Sequence, residues 1–189
     1  MASKYFSLKE LSKTETGVVN TPPSSLMPKI EQLGKVLDII YERIGPFKIV
    51  SAYRSPATQT ALKSGAAGAA SAAQAAKQSY HTTGQAADIL PTTMTVQAFY
   101  TKIVQTPDVA KLMGAFAIKN TVIHLDTDTS WRSAVAMYVD KAGNYIRFTT
   151  DELKNFISRN KVGVAAGGLV LIIAAGIGAY LFINRNKKG

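Results

Sequence analysis

The sequence predicts an α+β domain, a small antiparallel sheet with flanking helices, followed by a single C-terminal transmembrane helix. Three observations carry that reading. Apolar residues recur at helical spacing early in the chain, at Leu26, Ile30, Leu33, Leu37, Ile40 and Ile44, which makes one buried stripe. Short apolar, β-branched runs gather later, between 115 and 148, with no helical pattern between them. Helices first and most strands later is the order of an α+β fold, not of alternating βαβ units. Finally, the chain carries no charged residue from Val162 to Ile183. That run of about 22 residues is ~33 Å long as a helix, enough to cross a hydrocarbon core of ~30 Å.

At 189 residues the chain has room for one ordinary domain and an appendage. The predicted divisions are a domain over 1–149, a helical stalk over 150–161, the transmembrane helix over 162–183 and a basic tail over 184–189. Cysteine is absent, which excludes disulfide staples and thiolate metal sites. A net charge of +10 favours anionic partners such as lipid headgroups or an acidic wall polymer. No helix-turn-helix pattern or glycine-aromatic RNA signature accompanies the charge, so no specific nucleic-acid partner is expected. The first residues, Met-Ala-Ser-Lys-Tyr-Phe-Ser, lack the apolar core of a secretory signal. Arg159 and Lys161 precede the uncharged run and Arg185, Lys187 and Lys188 follow it. Basic residues on both flanks leave the side of the membrane on which the domain lies open.

Taken in order, Ser7 and Glu10 form a capping box that starts a short helix through Leu11. Residues 14–25 read as a loop with Asn20, Pro22 and Pro23 as turn residues. The striped helix follows and stops at Gly45 and Pro46. Phe47–Ser51 reads as a strand, and Pro56 opens an alanine-rich helix. Between 61 and 78 the composition is mostly Ala, Gly, Ser and Gln, which fits either one helix face or a loop over a site. A strand over 85–90 comes next, then a helix capped by Thr95 with Val96, Phe99, Tyr100, Ile103 and Val104 on its apolar face. A short helix follows Thr106, and strands are expected at 115–118, 121–127 and 134–139. Asp140 to Gly143 reads as a hairpin turn into a strand at 145–148. Thr149 and Glu152 make a second capping box, and the helix from Thr150 is expected to run without a break into the apolar span.

The chain holds only two histidines, and each sits near a carboxylate. His81 and Asp88 lie in Ser79-Tyr-His-Thr-Thr-Gly-Gln-Ala-Ala-Asp88, and His124 lies in Ile123-His-Leu-Asp126. Two imidazoles and one carboxylate suit zinc and leave a fourth position for water, the open pattern of a catalytic site.

Five segments occur in one order: Tyr5-Phe-Ser-Leu-Lys-Glu-Leu, Asn20-Thr-Pro-Pro, Ser51-Ala-Tyr-Arg-Ser-Pro56, the segment from Ser79 to Ile89, and Val122-Ile-His-Leu-Asp126. Together they resemble the zinc D-Ala-D-Ala carboxypeptidase family, whose fold is shared with L-alanyl-D-glutamate endolysins and the Hedgehog signalling domain. The resemblance spans roughly Tyr5 to Phe148. It implies a zinc peptidase, carboxypeptidase or endopeptidase, that cuts peptidoglycan stem peptides. By position it implies His81, Asp88 and His124 as metal ligands, Arg54 as the arginine facing a substrate carbonyl or carboxylate, and Ser79 as a substrate-side serine. Many members carry the catalytic acid three residues before the last histidine, where this chain has Thr121. Strand alternation puts Asp126 and Asp128 on the face of His124, so Asp126 is the expected general base, or else a carboxylate that supports a ligand histidine. The apolar span and the missing signal add the expectation of a phage virion or lysis protein, with peptidoglycan, membrane lipid and other virion proteins as partners. The competing expectation is an inactive structural or peptidoglycan-binding virion protein that retains the peptidase fold.

Overall fold

In the computed structural model, Ser7 and Glu10 close the expected capping box, with Ser7 N–H donating to the Glu10 carboxylate at 2.9 Å. They start helix α1 (Leu8–Leu11). The structure describes residues 3–14, 18–63, 79–119, 121–130, 134–142 and 144–160, with the backbone of 171–175 and 179–181. The striped helix is α2 (Met27–Arg43), entered through a 3₁₀ turn at Ser24–Leu26. Ile30, Leu33, Leu37 and Ile40 are each at most 1 % exposed. Burial of such side chains contributes about 1.5–3 kcal/mol apiece, so this helix is a main support of the core.

After α2 come β1 (Phe47–Ser51), α3 (Pro56–Lys63) and β2 (Ala86–Pro91). The alanine-rich stretch beyond residue 63, as far as 78, lies outside the described residues. Then follow α4 (Val96–Val104), capped as expected by Thr95, and α5 (Pro107–Ala110). The remaining strands are β3 (Ala115–Ile118), β4 (Ile123–Asp126), β5 (Val135–Val139) and β6 (Tyr145–Arg147).

The six strands form one sheet in the order β1-β2-β4-β3-β5-β6. It is mixed rather than wholly antiparallel, because β3 and β5 run parallel. The reason lies in the connection after β4. Asp126 at the end of β4 stands opposite Ala115 at the start of β3. The chain is back at that end of β3 by Ala134, whose N–H donates to Met113 O at 2.8 Å, and Val135 N–H donates to Gly114 O at 3.1 Å. The chain therefore begins β5 beside the beginning of β3 and shares its direction. Gly114 permits the backbone of Asp128 to pass close to the start of β3, since a Cβ there would collide with it and lie 2.6 Å from the Asp126 carboxylate.

Side chains of opposed residues share a face. Ala87, Ile89, Phe116, Ile118, Ile123, Leu125 and Ala136 belong to the buried cluster that also holds α2 and α4 residues. On the other face the register aligns Asp88, His124, Ala117, Met137 and Arg147 across five strands. Helices cover one side of the sheet, and the chemistry-bearing row lies on the other.

Helix α6 (Thr150–Arg159), where the stalk was expected, begins with the second capping box. It lays Leu153 and Ile157 into the core and sets Phe156 edge-on to Tyr100 at 5.6 Å. It ends at Arg159, with Asn160 outside the helical region at φ −110°, ψ 39°. A helix running unbroken from Thr150 into the apolar span is thus corrected: α6 is part of the domain, and its amphipathic face is what holds it there. Among the described residues no helix is long and apolar enough to cross a membrane. Within the expected 162–183 helix only the backbone of Leu171–Ala175 and Ala179–Leu181 is described, as two short antiparallel strands, β7 and β8. The rest of that span, and the basic tail, lie outside the described residues.

Candidate metal centre

His81 is held by its turn. Ser79 O accepts from Thr82 N–H at 2.8 Å, His81 O accepts from Gly84 N–H at 3.2 Å, and Tyr80 O accepts from Gln85 N–H at 2.9 Å. Gly84 takes φ +72°, and a Cβ there would stand 2.6 Å from Ile30 of α2. Glycine is required on both counts, and the turn it allows leads directly into β2 with Asp88. The His81 ring is 2 % exposed, and its Nδ1 lies 2.6 Å from Ala52 O. A carbonyl only accepts, so Nδ1 carries the proton and Nε2 presents its lone pair to the site.

Asp88 on β2 and His124 on β4 are direct cross-strand partners. His124 Nδ1 is 2.9 Å from Asp88 Oδ1 and 3.3 Å from His81 Nε2. One ligand atom from each of His81, Asp88 and His124 falls within 4.8 Å of the others. The row predicted from the sequence as a ligand set is therefore brought together in space. The donors fit a metal such as zinc: two imidazole nitrogens and a carboxylate, with the His81 carbonyl partner fixing tautomer and ring orientation.

Arg54 joins the same cluster. Its Nη2 donates to Asp88 Oδ2 at 2.9 Å and its Nε to Ser51 Oγ at 2.9 Å. Its backbone is tied to the turn through Arg54 N–H to His81 O at 3.1 Å. Asn20, expected as a turn residue, is a buried fastener for this segment. Its amide donates to Ser12 O and Tyr53 O at 2.8 and 2.7 Å, and its oxygen accepts from Ser55 N–H at 2.6 Å and the Thr58 hydroxyl at 3.1 Å.

Ser79 Oγ accepts from His81 N–H at 3.3 Å, so in the structure it supports the turn that carries His81. Asp126 is 2 % exposed and lies two residues from His124 on the same strand. Its Oδ1 accepts from Asp128 N–H at 3.3 Å, and it is not one of the three residues whose ligand atoms converge.

Two residues were missed by sequence reasoning. Lys119 Nζ lies 3.0 Å from Asp88 Oδ1, and Tyr145 sets its ring edge-to-face against His124 at 5.4 Å. Lys119 was findable, since alternation from Ala117 puts it on the face of His124. Tyr145 was not, because its place depends on the β5–β6 register.

The electrostatics follow from burial and charge. Burial pushes His81 down to about 4, with Arg54 reinforcing and Asp88 opposing the shift. Burial would raise Asp88, but the His81, His124 and Lys119 groups outweigh it and hold the carboxyl well below its usual range. At neutral pH the cluster therefore offers a neutral His81 imidazole and a carboxylate, the protonation states a cation needs.

The family whose model matches residues 8–129 is described as peptidoglycan L,D-endopeptidase MepK. The chain belongs to this family of peptidoglycan peptidases. All three convergent residues, with Arg54, fall inside the matched span, whereas β5, β6 and α6 lie beyond it. No curated protein and no solved structure matches the chain.

Proposed function

We propose that the chain is a zinc-dependent peptidase that hydrolyses an amide bond in peptidoglycan stem peptides, of the endopeptidase type that its family's description names. The observation that carries this is the convergence of His81, Asp88 and His124 within 4.8 Å, in a chain whose family match covers all three. Those residues would hold the zinc, which when bound supplies Lewis acidity and lowers the pKa of a water. Arg54, pinned by Ser51 and Asp88, presents an always-charged donor group for the scissile carbonyl or a substrate carboxylate. Asp126 is assigned as the base: its carboxylate oxygen takes the proton that the attacking water loses as the C–O bond forms. Asp126 then gives that proton to the departing nitrogen as the C–N bond breaks, which returns the base to its carboxylate form. Ser79 is assigned to the substrate side of the turn, in addition to its bond to His81.

The test is digestion of purified peptidoglycan by the full chain. Peptide-cleaved muropeptides are expected, abolished by a chelator and restored by zinc. Asp126→Asn should lower the rate about 100-fold or more while zinc content is unchanged. Equal activity of Asp126→Asn would remove Asp126 as base, and products cut only in the glycan would overturn the peptidase reading.

The uncharged run from Val162 to Ile183 supports attachment of this domain to a membrane. A wall-cutting domain carried on a membrane suits a phage virion or lysis protein, and we include that role in the proposal. Association with membranes that resists high salt and is lost on deletion of 162–183 is the expected result. Recovery of the intact chain in the soluble fraction would contradict it.

A further inference from the structure

We propose that Lys119 and Tyr145 form a carboxylate-binding arm of the candidate site, which selects substrates carrying an acidic group beside the scissile bond. This rests on the peptidase reading above and adds to it a specificity-determining pair.

Asp88 is one carboxylate lying between two side-chain cations, Arg54 on Oδ2 at 2.9 Å and Lys119 on Oδ1 at 3.0 Å. With the buried Asp126 carboxylate two residues from His124 on β4, the two cations leave the metal-free cluster near neutral, and a divalent metal ion would give it the excess of positive charge that attracts anions.

The two cations are not held alike. Arg54 is 16 % exposed in its side chain and clamped at Nε by Ser51. Lys119 is 27 % exposed and stands on a four-carbon stem at the β3–β4 turn, where its N–H donates to Val122 O at 2.9 Å. It is the more exposed of the two cations. Beside it is Tyr145, whose ring centroid is 5.7 Å from Nζ and which is 40 % exposed. An ammonium and a phenol at the solvent edge of a metal cluster make a two-donor cradle that suits a carboxylate.

The pair also straddles the family boundary. Lys119 lies inside the matched span of 8–129, and Tyr145 lies beyond it, on β6. The arm is thus a combination that the strands following the matched region supply to the site.

The test compares two synthetic stem peptides, one with free carboxylates flanking the scissile bond and one with those groups as carboxamides. Binding to zinc-loaded full chain is measured by calorimetry, beside kcat/KM. Wild type should bind the free acid more tightly. Lys119→Met should weaken the free acid by about 10–100-fold, the range of a charge-assisted hydrogen bond, and change the carboxamide by less than about twofold. Tyr145→Phe, which keeps the ring against His124, should weaken the free acid by a few-fold. Zinc content, measured for each variant, should stay at the wild-type value. Equal binding of acid and carboxamide by wild type, or an equal loss on both in Lys119→Met, would overturn the arm. Because binding is read separately from cleavage, a chain that prefers the acid without cutting it would uphold the arm while the peptidase reading fails.

Discussion

His81 shows how folding sets the state of a single side chain. Its Nδ1 proton is committed to Ala52 O at 2.6 Å, and burial keeps the ring neutral down to about pH 4. The linkage has a definite sign. An unfolded chain protonates this histidine near 6.5, whereas the folded, metal-free protein resists until about 4. Protons therefore favour unfolding in that window, and stability falls as pH drops from about 6.5 to 4, by at most about 1.4 kcal/mol per pH unit for one group. Below it, Asp88, whose pKa is held under its ordinary 3.8, adds a second loss. Denaturant titrations of chelator-treated protein at pH 7.5 and 4.5, with a His81→Gln variant alongside, measure this. The variant should flatten the slope. An unchanged slope would mean that His81 is not the group responsible.

Among the elements, α4 and β5 depend on one hydroxyl. Tyr100 OH donates to Met137 O at 2.8 Å and accepts from Met137 N–H at 2.9 Å. Burial holds its pKa well above the usual phenol range, so it remains a donor. Tyr100→Phe keeps the ring among Phe116, Phe148 and Phe156 but leaves the Met137 backbone groups without that partner. The expected cost is about 1–3 kcal/mol, read as a lower denaturation midpoint at unchanged m-value. A change under about 0.5 kcal/mol would show that water or another group satisfies them. Most elements were legible because their signals are local. The α2 stripe, the Ser7–Glu10 and Thr149–Glu152 boxes and the Thr95 cap each depend on residues a few positions apart. The parallel β3–β5 pair was not legible, because a strand's partner is set by where the previous strand leaves the chain. The docking of α6 was missed for a related reason. Its apolar stripe of Leu153 and Ile157 fits a core as well as a stalk, and only tertiary packing decides.

Across the whole molecule, the sheet divides support from chemistry. Helices α2, α4 and α6 cover one face, and the other carries Asp88 and His124 in one register row, with His81 and Arg54 brought in by the turns before β2 and after β1. The three ligand candidates were legible in the sequence because the chain has so few histidines and each lies near a carboxylate. Tyr145 completes the cluster only through folding, from a strand distant in the chain, whereas Lys119 follows from alternation along β3. The assignment of a metal to this row is the claim on which the rest depends. The most direct measurement is the zinc content of the purified full chain in detergent, beside its His124→Ala variant. The account predicts close to one zinc per chain in the wild type and a loss of most of it in the variant, with both folded by circular dichroism. A folded wild type that takes up no zinc when it is supplied, or a His124→Ala variant that binds it as well, would contradict the account.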